Sequence, residues 1–417
     1  MDIYSSLSSG NEYQPIISIG MHTAGEPARI IIKGFPSLVG ETLLEKRAYA
    51  KVHCDSIRKK LMSEPRGHFD MYGAILVQDT ELVRSGEADI GVLYCDNSGF
   101  STMCGHATIA LGRFLVETND ISIFPKRWLL KDSASDEHVK LTIHAPCGLV
   151  RVFVPVIPKK SRVLAPSPDS QLVRSDPSRP VSFFSVPSFA TGVDIIAKIP
   201  RNYLWKELVS SPIREVRFDI AFGGAYYAIV TVDQLGFLPD MPIIDALQQK
   251  VYTLSSLKEA TRLFKRFLIE GPKFQKYLRH PISPELEYLY GIIVVDPVSC
   301  NENRSSVGIC FFADQQIDRS PCGSGVCART ALAVSKGKLP LHQTWTYNSL
   351  VTKMKGEGAF IGCAVEETKV DHDGRYMDKG MPWKAYIVEV SGYAYYTGVS
   401  TYVTEESDEI GREGFLL

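Results

Sequence analysis

The chain has 417 residues, of which 45% are hydrophobic and 22% charged, and 46 Lys+Arg against 47 Asp+Glu leave a formal net charge of −1. That composition supports sizeable cores and about two domains, and it excludes collagen-like, disordered and coiled-coil readings. The balanced charge argues against nucleic acid or an anionic membrane as the main partner, since both select a basic surface.

The first 14 residues read as a short disordered tail. MDIYSSLSSGNEYQPI has no basic stretch followed by an apolar run, so no signal peptide is expected. No apolar run reaches the roughly 18 residues of a membrane-spanning helix. Strand-like runs, rich in Val, Ile, Tyr and Phe, follow at PIISIG (15–20), ARIIIKGF (28–35), GAILV (73–77), IGVLY (90–94), KLTIH (140–144) and LVRVFVPV (149–156). SIRKKLMSE (56–64) has helical spacing. The stretch 158–180 holds five prolines and five serines and reads as a surface excursion near a domain junction. Further strands are YYAIVTV (226–232), YGIIVVD (290–296), VGICFFA (307–313) and AYIVEVSG (385–392). The segment from about 256 to 278 reads as helix, with a solvated charged face in a peripheral insert. The class is mixed α and β, rich in strand. An N-terminal half (15–182) and a C-terminal half (183–417) are expected, with the last strands free to return to the first half.

The cysteines stand at 54, 95, 104, 147, 300, 310, 322, 327 and 363. An odd, sparse set reads as reduced intracellular thiols, with the cytosol as the default location. No spacing suits zinc, so no metal is expected. Most of these thiols read as small buried hydrophobes, Cys327 among them. Two differ. IGVLYCDNSGFSTMCGHATIALGRF in the first half and VGICFFADQQIDRSPCGSGVCARTAL in the second both run strand, polar loop, Cys-Gly, small-residue helix. An internal duplication accounts for this, each half presenting one cysteine, Cys104 or Cys322, at a helix start.

A thiol in that position meets unpaired backbone N–H groups and the positive end of the helix dipole, which favour the thiolate. The amides that follow, of Gly105 and His106 and of Gly323 and Ser324, form ready anion sites. Two such turns facing one small carboxylate would suit proton transfer at the adjacent carbon: one sulfur removes the proton, and the other returns one to the opposite face. A positioned base supplies about 10²–10⁴ of the rate; donors aimed at the developing enediolate and exclusion of water supply the rest. No cofactor is implied.

MCGHATIALGR (103–113) and DRSPCGSG (318–325) resemble the two signature segments of the proline racemase superfamily. HTAGEPARI (22–30), EPRGHFDMYGAILV (64–77), DIAFGGAYYAIV (219–230) and EVSGYAYYTG (389–398) resemble further typical segments. The resemblance spans nearly the whole chain. It implies an α/β fold of two pseudo-symmetric halves, each a curved sheet around a central helix, as in diaminopimelate epimerase. It implies Cys104 and Cys322 as base and acid, Gly105, His106, Gly323 and Ser324 around the substrate carboxylate, and Asp318 on the ring ammonium of an imino acid. A homodimer is compatible with it. His22 and Glu26 would shape the cleft or serve structure, and Gly223–Gly224 would allow tight packing.

The branch within that family is divided. The general text, including the ending GREGFLL, is similar to the trans-3-hydroxy-L-proline dehydratases, which carry Thr where this chain has Cys322. Proline racemases and hydroxyproline epimerases carry both cysteines, and on that residue the two-thiol racemase or epimerase is the preferred expectation, with the dehydratase as the alternative. Asp96 and Ser98 replace usual residues in a loop near Cys104 and leave the exact proline substrate open. A non-catalytic binder or a thiol redox protein using Cys322 and Cys327 are the alternatives from other classes.

Overall fold

The computed structural model describes residues 15–130, 137–158, 173–213, 215–237, 241–299, 304–370, 383–405 and 407–416. The expected tail, residues 159–172 of the Pro/Ser stretch, and Cys300 lie outside them. The chain divides into two compact units, Met1–Phe184 with Ser391–Leu417, and Ser185–Val390.

The first unit contains β1 (Ile16–Thr23), β2 (Glu26–Lys33), β3 (Gly73–Val77), β4 (Ile90–Cys95), β5 (Phe100–Ser101), β6 (His138–Ala145), β7 (Gly148–Pro155), β8 (Val181–Phe184) and the late strand β18 (Ala394–Tyr402). The strands pair in the order β18-β1-β2-β3-β4-β6-β7-β8. The β2–β3 and β4–β6 pairs are parallel and the others antiparallel, and β5 folds back on β4. One helix, Gly105–Glu117, touches β18, β1, β2, β3, β7 and β8, strands at both ends of that order. The sheet therefore curls around it. All its residues except Arg113 and Glu117 are buried, as expected of a helix apolar on every side. Ile109, Leu111, Phe114 and Leu115 each contribute about 1.5–3 kcal/mol by leaving water. Gly112 lets the helix approach the sheet: a Cβ there would stand 2.7 Å from the Val152 side chain.

The second unit contains β9 (Phe189–Lys198), β10 (Glu215–Phe222), β11 (Tyr226–Thr231), β12 (Leu289–Val295), β13 (Ser305–Phe312), β14 (Gln316–Ile317), β15 (Thr344–Asn348), β16 (Phe360–Val370) and β17 (Trp383–Gly392), which ends just past the unit boundary. The order is β9-β10-β11-β12-β13-β15-β16. Here β11–β12 and β13–β15 are parallel, the rest antiparallel, and β14 folds back on β13. This repeats the first unit strand for strand: β18, β1, β2, β3, β4, β5, β6 and β7 correspond to β9, β10, β11, β12, β13, β14, β15 and β16. The helix Gly323–Ser335 occupies the place of Gly105–Glu117, is likewise 13 residues long, and touches β9, β10, β11 and β16. The duplication read from two sequence segments extends through each unit.

One helical expectation is corrected in detail, and one helix is additional. The long helix runs Leu254–Glu270 and stops at Gly271, with Pro272 opening a separate short turn; proline cannot continue the earlier helix. Its apolar face, with Phe264 and Phe267, is buried, while Glu259–Arg262 and Arg266–Glu270 pair on its exposed face. A helix at Leu43–His53 was not expected. Thr42 and Glu45 close a reciprocal capping box at its start, a signal present in the sequence as Thr-Leu-Leu-Glu.

Candidate active site

In the first unit, Cys104 caps the central helix and is buried. Its sulfur accepts from the Ala107 N–H at 3.4 Å, so the thiol faces the unpaired amides of the first turn. The His106 ring lies against it, Nδ1 being 3.2 Å from Sγ. The other ring nitrogen, Nε2, is 3.2 Å from the Pro27 carbonyl. A carbonyl can only accept, so Nε2 carries the hydrogen and Nδ1 turns a lone pair to the thiol. Burial pushes the imidazole down to about 3, against the raising effect of the Pro27 bond, so the ring is neutral at physiological pH. His106 is thus an acceptor for the Cys104 S–H, a side-chain role beyond its expected backbone one.

The HTAGEP segment supports this arrangement through residues that were not singled out. Thr23 donates to the His106 carbonyl at 2.9 Å, and Pro27 holds the ring. His22 instead accepts from the Gly25 N–H in its own turn, and Glu26 is fully buried. Tyr72 meets the His106 ring edge-on, 4.9 Å between centroids, and its hydroxyl pairs with Ser101. Behind the helix start, Tyr94 bonds Thr108, which donates to the Cys104 carbonyl at 2.6 Å. Asp96 folds its own loop, accepting from the Ser98 N–H and hydroxyl and the Gly99 N–H.

In the second unit, Cys322 precedes the corresponding helix with φ +67° and ψ 94°. Such a conformation is uncommon for a residue with a Cβ and is retained where surroundings over-determine it, often at functional sites. Its N–H donates to Ser320 Oγ, and its sulfur lies 3.5 Å from the Tyr227 hydroxyl. Gly325 leaves room for it: a Cβ there would be 2.9 Å from Sγ. Asp318 is buried and accepts from the Ser320 N–H and hydroxyl at 2.8 and 2.7 Å. Burial pushes its carboxyl up to about 6, while the Ser320 bonds, the Cys322 thiol and Arg319 pull the other way. The structure therefore groups Cys322, Asp318, Gly323 and Ser324 at one helix start, and Cys104, Gly105 and His106 at the other.

Gly223 has the packing role expected of it. A Cβ would stand 2.2 Å from the Ser324 carbonyl oxygen and 2.5 Å from the Ala328 nitrogen. Gly223→Ala is expected to cost about 1–3 kcal/mol, lowering the thermal midpoint by several degrees; calorimetry checks this, and an unchanged midpoint would contradict the close approach.

Burial raises the Cys95 and Cys147 thiols to about 12, consistent with inert packing. Cys54 and Cys327 are buried too. Cys310, read as packing, is buried near Cys322, and burial with that neighbouring thiol pushes its own thiol well above the ordinary range. Among the described residues no group of His, Cys, Asp and Glu could hold a metal ion, and no helix is long and apolar enough to cross a membrane.

The family model described as proline racemase matches residues 18–416. The chain belongs to the proline racemase family. Among its family relatives, human trans-3-hydroxy-L-proline dehydratase is 38% identical over 404 residues, covering 97% of this chain and 95% of that protein. The Bos taurus trans-L-3-hydroxyproline dehydratase is 39% identical with the same coverage. The trans-3-hydroxy-L-proline dehydratase of Colwellia psychrerythraea is 34% identical, covering 97% and 93%. Two solved family structures share the fold. A probable proline racemase from Agrobacterium radiobacter, with bound carbonate, has a TM-score of 0.69 at 20% identity, covering 96% of each chain. A hydroxyproline epimerase from Agrobacterium vitis, with bound trans-4-hydroxy-L-proline, has a TM-score of 0.68 at 19% identity, covering 97% of this chain and 96% of that one.

Proposed function

We propose that this family member dehydrates a trans-3-hydroxyproline. The observation that carries the reading is the 34–39% identity, across more than nine-tenths of the chain, to proteins named for that activity. It reverses the preference that Cys322 alone suggested. Stereochemistry explains why a second thiol need not decide the matter. In trans-3-hydroxy-L-proline the C3 hydroxyl is opposite the carboxylate, and so is the Cα hydrogen. Both leave from one face of the ring.

In this reading the Cys104 thiolate takes the Cα proton. The electron pair is first shared with the carboxylate, then forms the Cα–C3 double bond as C3–O breaks. The hydroxyl departs as water with a proton, and Cys104, on the same face, holds one to give. The resulting enamine tautomerises to the cyclic imine. The Gly323 and Ser324 amides would hold the carboxylate, since first-turn N–H groups lack intrahelical acceptors. Asp318 would hold the ring ammonium.

A second reading is favoured by Cys322 itself. A buried thiol among Asp318, Tyr227 and Ser324 is equipped to return a proton to the face opposite Cys104. That would racemise proline or epimerise a 4-hydroxyproline, which has no leaving group at C3. Incubation in D₂O with trans-3-hydroxy-L-proline, trans-4-hydroxy-L-proline and L-proline, each followed by NMR, separates the readings. The proposal predicts water loss to a pyrroline carboxylate from the first. Deuterium at Cα of an epimerised product, without water loss, would establish the second instead.

The Asp318 role gives a pH dependence. As pH falls through about 6 the carboxyl protonates, its attraction for the ammonium is lost, and KM should rise. Asp318→Asn should have a high KM and no such limb. The linkage sign for stability is the opposite of the usual carboxylate: the raised carboxyl favours the folded state when protonated, a contribution complete below the ordinary carboxyl range and lost as pH rises through about 6.

A further inference from the structure

The second helix start carries a hydrogen-bonded chain whose middle group, the Tyr227 hydroxyl, has no role in either reading. Tyr227, on β11, is fully buried, with its ring packed edge-on against Tyr290 at 5.9 Å between centroids. Its hydroxyl lies 2.7 Å from Ser324 Oγ and 3.5 Å from Cys322 Sγ. Asp318 and the buried Cys310 thiol lie near the same sulfur. Ser324, Tyr227 and Cys322 thus form a line of three groups with two links, and Asp318 and Cys310 lie beside its sulfur end.

Hydrogen bookkeeping gives this line two directions. The serine hydroxyl, the phenol and the thiol own one hydrogen each. In the structure the thiol donates to the phenol oxygen, so the phenol donates to Ser324 and the serine hydrogen is free for a ligand. In the reverse direction, which an ionised Asp318 favours by drawing the thiol hydrogen, the phenol donates to sulfur, Ser324 donates to the phenol, and the serine hydrogen points inward. The proposed substrate favours the first direction from both ends. Its ammonium takes Asp318 away from the thiol, and its carboxylate asks Ser324 for a hydrogen.

We propose that Tyr227 is a positioning residue whose hydroxyl couples the Cys322 thiol hydrogen to the Ser324 hydroxyl, so that substrate binding at Asp318 and Ser324 fixes the aim of that hydrogen. The coupling rests on the carboxylate and ammonium sites given above. It needs the phenol to stay protonated in either direction, and burial together with the neighbouring thiols Cys322 and Cys310 pushes Tyr227 well above its ordinary range. The other charged groups around the line act at its edge. Lys265 donates to the Tyr290 and Ala313 carbonyls, and Arg319 donates to the Ile317 carbonyl. Both leave the phenol as the link between sulfur and serine.

The test reads the thiol directly. The infrared S–H stretching band of Cys322 is assigned by its loss in Cys322→Ser. Tyr227→Phe keeps the ring and deletes the hydroxyl, and Ser324→Ala deletes the far end. In the ligand-free protein the band is expected to move in Tyr227→Phe and, by a smaller amount, in Ser324→Ala, with thermal midpoints near the parent's. If Tyr227→Phe fails to fold, the Ser324→Ala band alone decides. In turnover, each substitution should raise KM about tenfold with a smaller effect on kcat, and the double variant should be little worse than either single, as for coupled residues. A band that neither substitution moves, or KM effects that multiply, would overturn the coupling. Failure of the proposed function is separate: it shows as no water loss from trans-3-hydroxy-L-proline by the parent protein, whereas the S–H band of the free protein needs no substrate.

Discussion

Cys104→Ser is expected to lower turnover by about 10²–10⁴ while leaving the thermal midpoint within a few degrees of the parent's. The substitution changes one atom, and the Ala107 N–H and His106 Nδ1 that bond the sulfur can bond an oxygen. What is lost is acidity. A serine hydroxyl does not ionise at the helix start in any useful fraction, and the neutral His106, pushed down to about 3 by burial, is too weak a base to take its proton. The same argument makes the pH profile of the parent free of an imidazole limb between pH 4 and 8 on the Cys104 side. Steady-state rates with trans-3-hydroxy-L-proline, and calorimetry on the same samples, check both parts. A variant with near-parent rates would mean that another group removes the Cα proton.

Cys322→Ser separates the two chemistries. Dehydration should persist within about tenfold of the parent, a change of about 1.4 kcal/mol in barrier. In the proposed reading Cys104 serves the ring face from which both the proton and the hydroxyl depart. Any epimerisation of trans-4-hydroxy-L-proline should fall by about 10²–10⁴, since it needs a proton delivered to the opposite face. Serine is also a small residue for a position at φ +67°, so the fold is expected to survive. Equal, large losses in both assays would show that Cys322 is required for elimination as well, and the account of a single working face would fail.

Much of the scaffold was legible because its strands are nearly continuous apolar runs. β4, at IGVLYC, is buried at every position, and β12, at LYGIIVV, at nearly all. Strands that carry charge were less visible. β10, EVRFDIAF, alternates exposed and buried over its first half, a period-two pattern hidden by Glu, Arg and Asp. β18 exposes Tyr395, Tyr396 and Val399, so no buried face marks it. The return of β18 to the first unit, where it pairs with β1, depends on a contact almost four hundred residues apart in sequence that no local pattern encodes.

The same contrast holds at the site. Cys104 and Cys322 were found from a local rule, a thiol and glycine at a helix start. Their partners come from elsewhere in the chain. Pro27 and Thr23 reach His106 across about eighty positions, and Tyr227 reaches Ser324 across 97. Tyr226 and Tyr227 look alike in sequence, yet adjacent strand residues point to opposite faces. Tyr226 bonds the Arg279 carbonyl, while Tyr227 meets the helix start. An aromatic pair in a strand reads as core packing until the partners of each hydroxyl are seen.

The thiol at the first helix start is expected to remove hydrogen from the carbon beside a carboxylate. Trans-3-hydroxy-L-proline carrying deuterium at Cα tests it most directly, with solvent deuterium and pyrroline carboxylate measured together over time. One deuteron released per product molecule, and none released by Cys104→Ser, is the predicted result. Product carrying the deuterium moved to C3, or release by Cys104→Ser at the parent rate, would contradict it.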